Sequence, residues 1–329
     1  MEGLKVFFEL DEGLVRAVDG VSFSVDQGGV VALVGESGCG KTVTVRAMLH
    51  LLDPPGRIVE GRVLFRGDGV GGVEDLAGLD PDGPRMRKVR GGEISLIFQE
   101  PMASFSPVHT VGSQIGEAIR LHRDMTQREA RAETVRLLSA VGVPQPGQRI
   151  DEYPYQFSGG MLQRAMIAMA LSCRPRILIA DEPTTALDVT TQAQILALLR
   201  RLQKETGMAV IFITHNLGVV AEMADAVVVM YLGAVVEKGP VKAVYHEPRH
   251  PYTQALLKSI PPIRGGGRQR LATIAGSIPH PLMRPSGCPF HPRCPRFMPG
   301  TCDAHEPATA SIASDHEVSC FLYGDEHRT

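Results

Sequence analysis

The stretch "VVALVGESGCGKT" constrains this chain more than any other. Five apolar residues, Val30 to Val34, run into Gly35, and the spacing Gly35, Gly40, Lys41, Thr42 fits G-x-x-x-x-G-K-[ST]. Such a run demands a buried strand, a loop tight enough to need glycine, and a helix starting where the loop ends. "VTVRAMLHLL" supplies that helix. Glycines let successive backbone N–H groups converge on an anion at the helix N-terminus, where the dipole and unsatisfied donors favour negative charge. Gly35, Ser37, Gly38, Cys39, Gly40, Lys41 and Thr42 are therefore expected to cradle the phosphates of a nucleotide. Lys41 should reach the β- and γ-phosphates, and the Thr42 hydroxyl should bind Mg²⁺. Cys39 lies among N–H donors beside Lys41, a setting that favours a reactive thiolate. A small residue chosen for fit alone explains it equally well.

A nucleotide site also needs an acid at the end of a second strand. "RILIADEPTTALD" offers Ile177 to Ala180, all apolar, followed by Asp181 and Glu182. Asp181 is placed to hold Mg²⁺ through water and Glu182 to polarise the attacking water. Beyond it, strand and helix signals alternate: a helix from near Val189, "MAVIFIT", a short helix after His215, and "DAVVVM". That alternation predicts an α/β fold with a largely parallel sheet. "MYLGAVVEKG" reads as a final hairpin, and the first 99 residues as strand-rich, with "GDGVGGVEDLAGLDPDGP" a mobile Gly/Asp loop. Gln99 to Phe157 reads as a helical insertion, in which Thr126 and Glu129 form a capping box and Gly142 stops the helix.

"QFSGGMLQRAMIAMAL" precedes the acidic strand and opens an amphipathic helix at Ser158, Gly159, Gly160 and Gln163. It resembles the signature motif of ATP-binding cassette (ABC) ATPases. Gln99 in "LIFQEP", Asp188 in "ALD" and His215 in "FITHN" resemble that family's Q-loop, D-loop and switch histidine, in the same order. The resemblance implies an ABC ATPase core with a helical subdomain. It gives Glu182, His215 and Gln99 catalytic roles, Gln99 a further place on Mg²⁺ beside Thr42 and Asp181, and Ser158, Gly159, Gly160 and Asp188 contacts with ATP. In the family, two cassettes pair head to tail, and each nucleotide lies between one cradle and the opposite signature. Phe157 and Leu162 depart from the usual leucine and arginine, which could change how the signature helix meets its neighbours. The place of the family's base-stacking aromatic falls near Glu12 to Val15, where none stands, leaving Phe7 or Phe8 as substitutes.

"QEPMASFSPVHTVGSQI", "HEPRHPYTQALLKSIP" and a tail with Cys288, Cys294, Cys302 and Cys320 resemble the ATP-binding subunits of oligopeptide, dipeptide and nickel importers. The implied function is the ATP-hydrolysing subunit of a peptide importer. A nickel or other small-solute importer is the alternative, and a non-transport ABC ATPase with a metal-sensing tail is a rival. The implied partners are a second, homologous ABC ATPase subunit, two integral membrane permease subunits and an extracytoplasmic substrate-binding protein. A net charge of −2 argues against nucleic acid as a partner. The start "MEGLKVFFELDEG" lacks signal-peptide features and no apolar run approaches eighteen residues. The expected location is thus the cytoplasmic face of the cell membrane, held peripherally. Residues 1–260 are expected to form the ATPase domain, with its helical subdomain at about 100–157. Residues 261–329 are expected to be a linker, "PPIRGGGRQR", and a small Cys-rich C-terminal extension.

An intracellular setting disfavours disulfides for the four tail cysteines, spaced C-x5-C-x7-C-x17-C. Four thiolates suit a [4Fe–4S] cluster. Zn²⁺ is the competitor, with His291 or His316 able to replace a thiolate. Zinc ligands usually come as close Cys pairs, which this tail lacks, and some of the importer subunits it resembles carry a cluster here, which favours iron–sulfur.

Overall fold

The structure is a computed structural model that describes residues 1–67, 72–185, 187–259 and 274–324. The linker at 261–270 lies outside them. The chain divides into two compact units. One comprises 1–24, 31–78 and 214–329, and the other 25–30 and 79–213.

The first unit is built around the cradle strand Val30–Val34, in which all five residues are buried. An unbroken apolar run fits a strand covered on both faces. Ala226–Tyr231 lies parallel to it, with Val229 opposite Val34. Ala234–Pro240 returns antiparallel, as the hairpin reading expects. Leu232 and Gly233 make the two-residue turn with φ of 42° and 82°, the left-handed pair that a tight hairpin requires. Beyond this hairpin His316–Ser319 and Thr309–Ala313 extend the sheet, the former pairing through Glu237 and Val318. The described tail, 274–324, therefore lies inside the cradle's own unit. A separate three-stranded antiparallel sheet places Glu2–Leu10 between Gly13–Val21 and Gly56–Arg62. The Gly/Asp stretch is not wholly a loop. Residues 68–71 lie outside the described part, but Val73–Asp75 pairs with Leu64–Arg66, and Leu76 is fully buried.

The second unit holds three parallel strands in the order Ala209–Ile213, Ile177–Asp181, Ile94–Ile97. Between the last of these and the signature stretch come Val111–His122 and Gln127–Ala140, with shorter helical turns. The second helix starts with the expected capping box, in which Thr126 and Glu129 satisfy each other's backbone N–H. Among the described residues no helix is long and apolar enough to cross a membrane.

Candidate nucleotide site

The cradle's backbone is dictated by contacts that only glycine permits. At Gly35, φ is 149° and a Cβ would stand 2.2 Å from the Met230 carbonyl oxygen. At Gly40, φ is 98° and a Cβ would stand 2.2 Å from that of Ala17. The helix Lys41–Met48 starts at Gly40 with no side-chain cap and no acid in its first turn. Its first-turn donors therefore meet no competing protein carboxylate from their own helix, as an anion site requires. Lys41 is only 6% exposed, and its Nζ donates to the carbonyls of Gly35 (2.8 Å) and Glu36 (3.1 Å). The ammonium is thus folded back over the loop. Ser37 and Gly38 are exposed at its rim.

Cys39 contradicts the reactive-thiolate reading. It is buried, with its Sγ 3.6 Å from Lys41 Nζ. Burial raises the thiol's pKa, and the nearby ammonium offsets only part of that. Desolvation beats the local positive charge because the sulfur faces protein rather than solvent, so a neutral thiol fills this position.

Glu36 makes the cradle's least expected contacts. Its N–H donates to Tyr252 Oη at 2.9 Å. Its two carboxylate oxygens accept from Arg293 at 2.7 and 3.1 Å. With Arg293 4% and Glu36 23% exposed, removing either partner strands a charge, at about 3–5 kcal/mol. No sequence signal identified this pair, because its members stand 257 positions apart.

His215 belongs to the same unit and is exposed. It follows Thr214, whose N–H donates to the Leu33 carbonyl of the cradle strand at 3.3 Å. Asn216 then caps the helix Leu217–Met223. Of the aromatic candidates, Phe7 lies under the Arg16 guanidinium at 5.7 Å, and Phe8 packs over Gly56.

In the second unit, Asp181 ends its strand 5% exposed. Glu182 follows in the left-handed region at φ 45°. For a non-glycine residue that conformation costs about 1–3 kcal/mol and is typical of functional sites. Its N–H donates to the Ile213 carbonyl at 2.9 Å. Its carboxylate accepts from Gln99 Nε2 at 3.3 Å and from Thr185 Oγ1 at 2.9 Å. The structure therefore brings Gln99 and Glu182 together and adds Thr185, which the sequence reading did not single out. A hydroxyl three residues after the acid was its only trace.

Ser158 caps the helix Gly159–Leu171 by accepting from the Met161 N–H at 3.3 Å. Ser158 and Gly159 are exposed, whereas Gly160 is half-buried near Thr191. Phe157 and Leu162 are both buried, so these two departures fill the unit's own core. Asp188 caps Val189–Thr206, accepting from the N–H groups of Thr190 and Thr191, each at 3.0 Å, and from Thr191 Oγ1 at 2.6 Å. Those bonds, led by the hydroxyl, lower its pKa.

The tail's four cysteines are all free thiols. Cys288 and Cys302 are buried beside Phe290 in the cluster that contains Tyr231 and Tyr252. Burial pushes Cys288 up to about 11 and Cys320 up to about 12. Cys294 and Cys302 raise Cys288 further, and Cys288, Cys294 and Cys302 raise Cys320 further. The metal expectation is nevertheless not met as a ready-made site. Among the described residues no group of three or more His, Cys, Asp or Glu could hold a metal ion. His316 is committed elsewhere, its Nε2 lying 2.8 Å from the buried carboxylate of Glu237. His291 turns Nδ1 to the Cys288 carbonyl, 3.0 Å away.

Comparison with known proteins shows the family. Residues 18–185 match the ABC transporter family, and 236–302 match the oligopeptide/dipeptide transporter C-terminal region. The chain belongs to the ABC transporter family. It is 48% identical over 323 residues to a dipeptide transport ATP-binding protein of Bacillus subtilis, covering 98% of this chain and 93% of that one. The Escherichia coli protein of the same description is 46% identical over 326 residues, covering 99% and 97%. Among solved structures, a dimeric ATP-binding cassette bound to ADP and phosphate after hydrolysis superposes with a TM-score of 0.63 at 26% identity. It covers 73% of this chain and 97% of that one.

Proposed function

We propose that this protein is the ATP-hydrolysing subunit that energises an ABC importer of peptides. The observation that carries the reading is the cradle: an uncapped helix start, a glycine-only backbone and a buried lysine folded over the loop. Relatives at 46–48% identity over nearly the whole chain are named for dipeptides, which favours peptides over nickel or another small solute.

In this reading Gly35 to Thr42 bind the ATP phosphates, with Lys41 turning from its own carbonyls to the β- and γ-oxygens. Thr42, Asp181 and Gln99 would hold Mg²⁺, which neutralises phosphate charge. Glu182 orients and polarises the attacking water, with Gln99 and Thr185 fixing its carboxylate. His215, carried on the exposed turn after Thr214, would contact the γ-phosphate. Ser158, Gly159, Gly160 and Asp188 would serve the nucleotide of a second cassette, and the exposure of Ser158 and Gly159 suits that role. Phe98, Met102, Val108, Leu121 and Tyr155 are exposed apolar side chains in and beside the helical part. They are candidates to dock permease subunits at the cytoplasmic face of the membrane, with an extracytoplasmic binding protein choosing the solute.

The test is Glu182→Gln in the protein assembled with its permease. ATP binding is expected to persist while hydrolysis and peptide uptake fall at least about 100-fold. Wild-type turnover would sink the assignment.

The tail cysteines support a second reading. The residues fit a [4Fe–4S] cluster in type, being four free thiols, although among the described residues they are not arrayed as a group that could hold a metal ion. Such a cluster would cross-link the tail, and a single ion would need its ligands in closer array. Anaerobically purified protein is expected to contain about four irons and four acid-labile sulfides per chain. One tightly bound zinc, or no metal, would refute it.

A further inference from the structure

We propose that Arg293 is a positioning residue for nucleotide binding, fixing the first residues of the cradle through Glu36 and cancelling that residue's charge beside the phosphate site. This rests on Gly35–Thr42 being the phosphate cradle.

Glu36 is the only acid in the loop from Gly35 to Thr42. Left bare, its carboxylate would repel a nucleotide polyanion at the mouth of its own site. Both its oxygens are instead held by the forked guanidinium of Arg293, at 2.7 and 3.1 Å. Its N–H is held by Tyr252, and its carbonyl by Lys41 Nζ. The restraints therefore pass through the same backbone that positions the cradle lysine.

Arg293 is itself immobilised. Its Nε donates to the Ala275 carbonyl at 3.0 Å, its Nη1 reaches Tyr231 Oη at 3.3 Å, and its guanidinium lies 5.8 Å over the Tyr231 ring. It ends the short turn His291–Arg293, between Cys288 and Cys294. The turn is tied by Arg293 N–H to Phe290 O at 3.0 Å and by Cys288 N–H to Cys302 O at 2.8 Å. A buried arginine needed only for packing could pair with any acid of the unit. This one pairs with the cradle's own, and the bidentate geometry fixes direction as well as charge.

The test uses the full chain and a fluorescent ATP analogue, with thermal unfolding followed alongside. Arg293→Gln is expected to weaken binding about tenfold at low salt, the deficit shrinking to about threefold at 0.5 M salt as the exposed charge is screened. Arg293→Gln with Glu36→Gln is expected to return within about threefold of wild type, because no bare carboxylate remains. A purely structural role also predicts recovery in the double variant, but a binding deficit in Arg293→Gln that does not shrink as salt is raised. Wild-type affinity in folded Arg293→Gln, or a double variant as weak as the single, overturns the proposal. Should Arg293→Gln fail to fold, Glu36→Asp draws the carboxylate back from the fork and is expected to lose about threefold with the same salt trend. Wild-type binding there overturns the proposal equally. Lys41→Ala separates the two readings: if it binds the analogue as tightly as wild type, the cradle assignment itself falls, and the role of Arg293 with it.

Discussion

The cradle and the signature stretch both begin a helix, yet they are built in opposite ways. The cradle is enclosed. Lys41 and Cys39 are buried, Gly35 and Gly40 touch neighbouring backbone, and Glu36 is held by Tyr252 and Arg293. The signature is open. Ser158 and Gly159 face solvent, and their order comes from the helix they begin. A loop that must close on a small anion unaided benefits from having its ordering cost met in the fold. A surface that waits for a second protein has to stay uncovered. Enclosure and exposure are what the proposed division asks for, with the cradle kept by its own chain and the signature offered to a second cassette.

Gly159→Asp tests that contrast with the larger expected effect. A side chain at Gly159 meets no heavy atom within 4 Å, and an acid in the first helical turn suits the dipole. The variant is expected to fold at least as stably as wild type and to bind ATP within about threefold. Its new charge would face the partner's phosphate, so hydrolysis by the assembled transporter is expected to fall at least about tenfold. Weakened binding by the isolated chain would mean that the signature serves its own cradle, and the comparison would break.

A smaller effect, on stability alone, is expected from Glu133 in the helical part. Hydrogen bonding by Arg136 is the main cause of its pKa falling to about 2, with burial opposing and Arg123 adding to the shift. A depressed carboxylate stabilises the fold above its unfolded pKa, near 4.5, and that contribution disappears as pH falls toward 2. Glu133→Gln should therefore flatten the loss of thermal stability between pH 4.5 and 2 while leaving nucleotide affinity unchanged. An acid titration as steep as wild type would assign the stabilisation elsewhere.

What could be read from the sequence was local. The cradle spacing, the Thr126 capping box, the strand ending at Asp181 and the hairpin at Leu232 and Gly233 are each written within a few residues. What escaped was carried by pairs far apart. The bond between His316 and Glu237 spans 79 positions, and that between Arg293 and Glu36 spans 257. Of the two readings open for Cys39, burial favours the small residue chosen for fit. Its neighbours in sequence are donors and a cation, but burial is the larger influence and raises its pKa. Phe157 and Leu162 likewise looked like departures in a motif and proved to be core residues.

The long reach of the Glu36 contacts also sets an order of events in biosynthesis. The cradle leaves the ribosome early, but the groups that lock it are Tyr252, 216 positions later, and Arg293, 257 positions later. At about 5–20 residues per second, the loop waits roughly 15–50 s for its last restraint. During that interval a nascent chain carries the phosphate-gripping sequence without the contacts that Tyr252 and Arg293 make to Glu36.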